Sequence, residues 1–194
     1  MGDSLGAVIS VALGLGLAAA TGFRVFVPFL VLNLAVRWGY VPLAPGWEWV
    51  GGTPALIVFA TATVLEVAGY YVPWVDHALD TVATPAAVIA GMVTSASVIS
   101  DLPPLMKWTA VIVGGGGLAA LVQGSTVALR AGSTAVSGGL ANPLVATVET
   151  VGASVLAVIA VAVPLLALVL VAVVVAVIYR IGRWMVMRVK PRQA

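Results

Sequence analysis

The sequence predicts an all-α, polytopic membrane protein with six transmembrane helices in two inverted three-helix repeats, interrupted by broken or re-entrant segments. Three observations carry this expectation. The 194 residues are 62% hydrophobic and 8% charged, with a mean hydropathy of +1.16, whereas a water-soluble domain carries about 25% charged residues. Apolar stretches near the roughly 20 residues that a bilayer demands recur between clusters of proline, glycine and aromatic residues. Similar runs of small residues occur in both halves of the chain.

Taken in order, residues 1–4 contain an aspartate and no basic residue, so the positive start of a signal peptide is missing. Gly6 stands where a myristoylation signal needs serine or threonine. Residues from Leu5 onward are therefore read as mature domain. The stretch 5–36 is interrupted by Thr21, Gly22, Arg24 and Pro28, and a break or kink is expected within 22–28, because Pro28 has no N–H to donate. Residues 37–52 read as an interfacial loop, with Trp38, Tyr40, Trp47 and Trp49 suited to the headgroup belt. The second crossing is 53–72, opened by Thr53 and Pro54 and closed by Pro73. Residues 74–81 read as a short polar connection, and 82–100 as the third crossing.

Lys107 and Trp108 mark the next interface, before a crossing over 109–129. Residues 130–140 look too polar and glycine-rich to span, and are expected to form a loop or re-entrant piece. Asn142 and Pro143 start the fifth crossing, and 165–179 supplies the sixth. The whole of 1–194 is expected to be one transmembrane domain, with repeats at about 5–100 and 105–187 and a basic tail at 180–194. Five of the nine basic residues, Arg180, Arg183, Arg188, Lys190 and Arg192, lie in that tail. They place the C-terminus in the cytoplasm by the positive-inside rule, and an even number of crossings puts the N-terminus there too.

Two alignments of the halves are open. In one, Gly14, Leu15, Gly16, Leu17, Ala18 and Ala19 parallel the residues from Gly115 to Ala120, and Thr53, Pro54 and Pro73 parallel Asn142, Pro143 and Pro164. In the other, Glu66 to Gly69 parallels Glu149 to Gly152, with the 37–52 loop deleted from the second half. Three crossings per half would make the halves opposite in orientation, the architecture of many secondary transporters, whose sites lie at the midplane between repeats.

Several function classes are disfavoured. With no cysteine, disulfides, thiolate chemistry and cysteine-ligated metals are excluded. The basic tail has no interleaved stacking residue beyond Trp184, so no nucleic-acid partner is expected. Asp76, His77 and Asp80 superficially resemble metal ligands, but they include the chain's single histidine, and capping and solvation are the expected roles. The glycines at 114–117 are followed by no Lys-Ser or Lys-Thr pair, so close helix packing explains them better than phosphate binding. No enzyme, cofactor or metal site is expected.

Gly22, Phe23, Arg24, Val25, Phe26, Val27, Pro28 and Phe29, then Leu65 and Glu66 with Pro73 and Asp76, then Ser137, Gly138 and Gly139 with Asn142, Pro143 and Glu149, form a pattern over nearly the whole chain. It resembles the domain-of-unknown-function family 4126. The resemblance implies a small integral membrane protein, mostly bacterial and hence of the inner membrane, with no assigned activity. The family pattern has a histidine near position 123 and a lysine near 126, where this chain has Gln123 and Thr126.

The candidate site is drawn from polar residues inside apolar stretches. A charge at that depth costs about 2.5–3.5 kcal/mol on insertion scales and is normally paired or placed in a wet cavity. Glu66 and Glu149 are expected to bind a cation or shuttle protons, with Arg24 as counter-ion or anion anchor. Asn142, Thr126 and Gln123 add amide and hydroxyl groups near the breaks, although Asn142 is also a good helix-start residue. The expected function is a transporter or channel-like protein for an ion or small polar solute, acting as a homodimer in the lipid bilayer. The alternatives are a non-transporting scaffold for a partner complex, and a buried Arg24–glutamate pair that only holds the fold.

Overall fold

The computed structural model describes the backbone of residues 2–100 and 102–189, and the side chains of 4–72, 79–100, 102–184 and 187. Helix α1 (Gly2–Thr21) ends where the expected break begins. The amides of Gly22, Phe23 and Arg24 turn back onto the carbonyls of Ala19 and Ala20. The chain then re-enters a helix as α2 (Val27–Arg37), with Pro28 in its first turn, where a missing N–H costs nothing. A loop with a 3₁₀ turn (Glu48–Gly51) leads to α3 (Thr53–Gly69) and α4 (Pro73–Val98), both also opened by proline. Next come α5 (Pro104–Thr109), a π-helical turn (Ala110–Gly116) and α6 (Gly117–Ser137), which run on as one helix of 34 residues. The chain closes with α7 (Asn142–Ala162) and α8 (Pro164–Val189).

The described residues contain no strand. Five helices are long and apolar enough to cross a membrane: Ser4–Thr21, Leu79–Val98, Pro104–Ser137, Asn142–Ala162 and Pro164–Trp184. This is the mark of a multi-pass membrane protein. Against an expectation of six crossings, α3 has only 17 residues and belongs with α2 among the shorter apolar helices. Helix starts fall where the proline pairs lie: Thr53–Pro54 opens α3 as Asn142–Pro143 opens α7, and Pro73 opens α4 as Pro164 opens α8.

Two expected connections are helix instead. Residues 74–81 form the first two turns of α4, and 130–137 form the last two turns of α6. Their polarity misled because a polar side chain leaves its own backbone amide and carbonyl free to continue the helix. No proline occurs between Pro104 and Pro143, and α6 stops only at Gly138, whose φ of 63° is the left-handed cap that glycine adopts freely. The side chains of Asp76, His77, Asp101, Arg188, Lys190 and Arg192 lie outside the described residues, so the metal-like trio and most of the basic tail stand as read from sequence.

Helix α1 is central, packed against α4, α6, α7 and α8. Its buried face is small: Ala12, Ala18, Ala19 and Ala20 with Leu13 and Leu17. Small residues let helices touch backbone to backbone, which replaces the hydrophobic drive that lipid cannot supply. A Cβ on Gly91 would lie 2.6 Å from the Ala119 Cβ and 2.7 Å from the Gly115 carbonyl oxygen. The expected packing role of the glycine run thus holds for Gly114, Gly115 and Gly116, each in contact with a neighbouring helix, and not for Gly117. Outward-facing valine and leucine cover α7 and α8, as lipid contact requires.

Candidate functional site

The break between α1 and α2 carries Arg24 into the interior, where its side chain is fully enclosed. Nε donates to the Thr150 hydroxyl at 3.0 Å and Nη2 donates to the Ala146 carbonyl at 2.8 Å, both on α7. Nη2 also lies 3.4 Å from a Glu149 carboxylate oxygen. Nη1 is buried with no hydrogen-bond partner among the described residues. Within the planar guanidinium fork it occupies the edge opposite to the Nε and Nη2 contacts.

Glu149, 3% exposed, is shared. Arg130 of α6 grips it in a two-pronged contact, with Nε to one oxygen at 3.2 Å and Nη2 to the other. The third nitrogen, Nη1, donates to Asp80 of α4 at 2.6 Å. The guanidinia of Arg24 and Arg130 each lie 3.9 Å from the centre of the Tyr70 ring, so this ring joins both cations. Such a centre needs every member, since a buried charge left without its partner costs several kcal/mol.

Glu66 stands apart from the ion pairs. Its two oxygens accept the backbone amides of Val25 at 2.7 Å and Phe26 at 3.0 Å. These amides precede α2, whose N-terminus carries a partial positive charge. A carboxylate there replaces the water that would solvate these donors in an ordinary helix. Phe29 of α2 stacks on Phe59 of α3 at 4.9 Å and holds the two helices in register. Beside Glu66 lies a pocket of about 320 Å³, lined by Val25 and Phe26, by Leu65, Glu66 and Tyr70, and by Val82 of α4 among others. Its walls are apolar apart from the tips of Glu66 and Tyr70.

The fold therefore brings together Arg24, Glu66 and Glu149 of the six candidate residues. Asn142, Thr126 and Gln123 are buried on α6 and α7, outside the ion pairs. The Asn142 amide donates to Thr134 of α6 at 3.1 Å. It ties two helices rather than capping its own, because α7 has no side-chain cap. The Thr126 hydroxyl donates to the Gln123 carbonyl one turn back. The Ser137 hydroxyl behaves alike, donating to the Ser133 carbonyl.

Sequence reasoning missed Arg130, Asp80 and Tyr70. A signal for Arg130 exists: on a proline-free helix it shares a face with Gln123 and Thr126, at offsets of seven and four residues. Asp80 was read as solvated, and its side chain is instead mostly enclosed against Arg130. Tyr70 carries no sequence signal of this role.

No curated protein and no solved structure matches the chain. The family described as Domain of unknown function (DUF4126) matches it over residues 11–184, a range that includes the break, Glu66, Tyr70, Asp80, Arg130 and Glu149. The chain belongs to the DUF4126 family.

Proposed function

We propose that this protein is a small transporter or channel-like protein of the bacterial inner membrane, moving an ion or small polar solute through a site at the centre of the bilayer. In this reading α3 supplies the sixth crossing, and α1–α4 and α5–α8 are inverted repeats. Both termini face the cytoplasm, and two copies associate through their lipid-facing helices. The parallel proline starts of α3 with α7 and of α4 with α8 support the repeat. The observation that carries the function is Arg24. A fully enclosed guanidinium sits on a helix break with one nitrogen unmatched, and an unmade buried hydrogen bond costs about 1–3 kcal/mol. Irregular backbone and ionisable side chains at membrane depth accompany transport paths.

The test is flux in proteoliposomes, across a panel of protons, alkali cations and small anions. Flux of at least one species above protein-free vesicles is expected. It is lost in Arg24→Ala protein that still elutes as a single species in detergent. Rates equal to protein-free vesicles for the whole panel overturn the reading.

One observation favours the second reading, a non-transporting scaffold. Arg130 is saturated by two carboxylates, as a purely architectural clamp would be. A scaffold predicts a stoichiometric membrane partner on purification, with no flux.

A further inference from the structure

The pocket beside Glu66 follows from how α3 and α4 pack. Helix α3 lies on α2, and α4 lies on α1 and α6, with little contact between α3 and α4 themselves. The gap left between them is the pocket of about 320 Å³, walled by Phe26, Ala62, Leu65, Val82 and Ala83 among others, with Glu66 as the one carboxylate in its lining. Leu65 and Val82 are each 66% exposed, so the gap opens sideways toward the hydrocarbon of the bilayer. Its size lies at the lower end of the range for small-molecule sites, roughly 300–1,000 Å³.

Charge selects the occupant. Among the described side chains of the centre, the guanidinia of Arg24 and Arg130 stand against three carboxylates. Asp80 and Glu149 take both guanidinia in ion pairs, and no cationic nitrogen of the described residues lies within ion-pair distance of Glu66. The two arginines are thus balanced by Asp80 and Glu149, which leaves Glu66 as the net charge of the centre. The amides of Val25 and Phe26 hold its oxygens, yet amides carry no net charge, and a carboxylate has about four acceptor sites. A neutral hydrocarbon in the pocket would leave this charge without a counter-ion. A hard inorganic cation asks for about six oxygens, and the side chains of the lining offer only the Glu66 carboxylate and the Tyr70 hydroxyl. An organic ammonium ion needs no such cage, because it carries its own apolar skin. The walls bury its methyl groups and ring, and Phe26 adds an aromatic side chain of the kind that attracts such cations.

We propose that the pocket between α3 and α4 binds a hydrophobic organic monocation, entering from the bilayer, with Glu66 as its counter-ion. As the choice of transported ion this rests on the transport reading above; as a binding site it does not.

The test is calorimetric titration of the full chain in lipid nanodiscs with benzyltrimethylammonium, with empty nanodiscs as the blank. Saturable binding is expected in wild type. Affinity falls about tenfold or more in Glu66→Gln, which removes the counter-ion, and in Ala83→Phe, which fills the pocket and keeps the carboxylate. Neopentylbenzene has the same shape without the charge, and at equal membrane concentration it should leave the cation bound to wild type. No binding in wild type overturns the proposal. So does full affinity in Glu66→Gln or displacement by neopentylbenzene, either of which marks a pocket for a neutral hydrocarbon or a lipid chain. The comparison of the two compounds on wild type decides the matter even where the variants fail to fold. Flux of another ion without benzyltrimethylammonium binding removes this proposal and leaves the transport reading. Binding without flux of any ion, benzyltrimethylammonium included, does the reverse.

Discussion

The two arginines at the centre of the molecule are held in opposite ways. Arg130 projects from a helix that runs unbroken from Pro104 to Ser137, and it spends all three nitrogens on two carboxylates. Arg24 projects from a break. It bonds a hydroxyl and a carbonyl, touches Glu149 only at 3.4 Å and leaves Nη1 unmatched. A regular helix presents one side chain to its neighbours and satisfies its own backbone, so the side chain alone must be neutralised. A break delivers a side chain and free amides to the same place, and together these make a surface that binds. Arg130 is thus held on every nitrogen, whereas Arg24 keeps one donor unmatched.

The largest effect expected is for Glu149→Gln, which strips the carboxylate shared by both arginines. It should destabilise the protein by about 3–5 kcal/mol, read as a lowered midpoint of thermal unfolding in detergent by tryptophan fluorescence. Arg130→Gln should approach that loss, by stranding Glu149 and Asp80, whereas Arg24→Gln should cost visibly less, about 1–3 kcal/mol. Equal losses for the two arginine variants would erase the distinction between a saturated and an unsaturated cation. Gly22→Ala tests the break itself. The new Cβ would lie 2.5 Å from the Val122 Cβ and 2.7 Å from the Ala119 carbonyl oxygen, and overpacking of this kind costs about 1–3 kcal/mol. That loss should fall on helix packing, with a shifted unfolding midpoint but an unaltered Arg130 cluster in cross-linking between α4 and α6. Tyr70→Leu removes the ring between the guanidinia, at about 0.5–2 kcal/mol, and sharpens the comparison if it is paired with each arginine variant in a double-mutant cycle. The smallest effect is for Thr150→Val, one neutral acceptor of Arg24, at about 0.5–1 kcal/mol.

Much of the fold was legible, because lipid imposes a severe grammar. Apolar length marked the crossings. Proline pairs at 53–54 and 142–143 marked helix starts, and Gly22 to Pro28 marked the break. The errors came where polarity was read as irregularity: Asp80 and Arg130 lie on regular helix and are polar because they face each other. Half of the candidate site was legible for the same reason that it is costly. Arg24, Glu66 and Glu149 stand out in apolar surroundings, and all three reach the centre. Gln123, Thr126 and Asn142 stand out equally, yet the Thr126 hydroxyl satisfies itself on a carbonyl of its own helix and the Asn142 amide bonds Thr134 of a neighbouring one.

Composition and the spacing of apolar stretches by themselves determined that this chain is helical and built for a membrane, since in hydrocarbon only internal hydrogen bonding satisfies the backbone. They also determined that some carboxylate and guanidinium groups had to meet, because isolated charge at that depth is too costly. Only the tertiary structure decided which ones met. The pairing of Glu149 with Arg130, and of Glu66 with two backbone amides instead of an arginine, depends on how α3, α6 and α7 rotate about their axes and where the break turns the chain. Those rotations follow from contacts between small residues far apart in sequence, and nothing in a single stretch of residues encodes them.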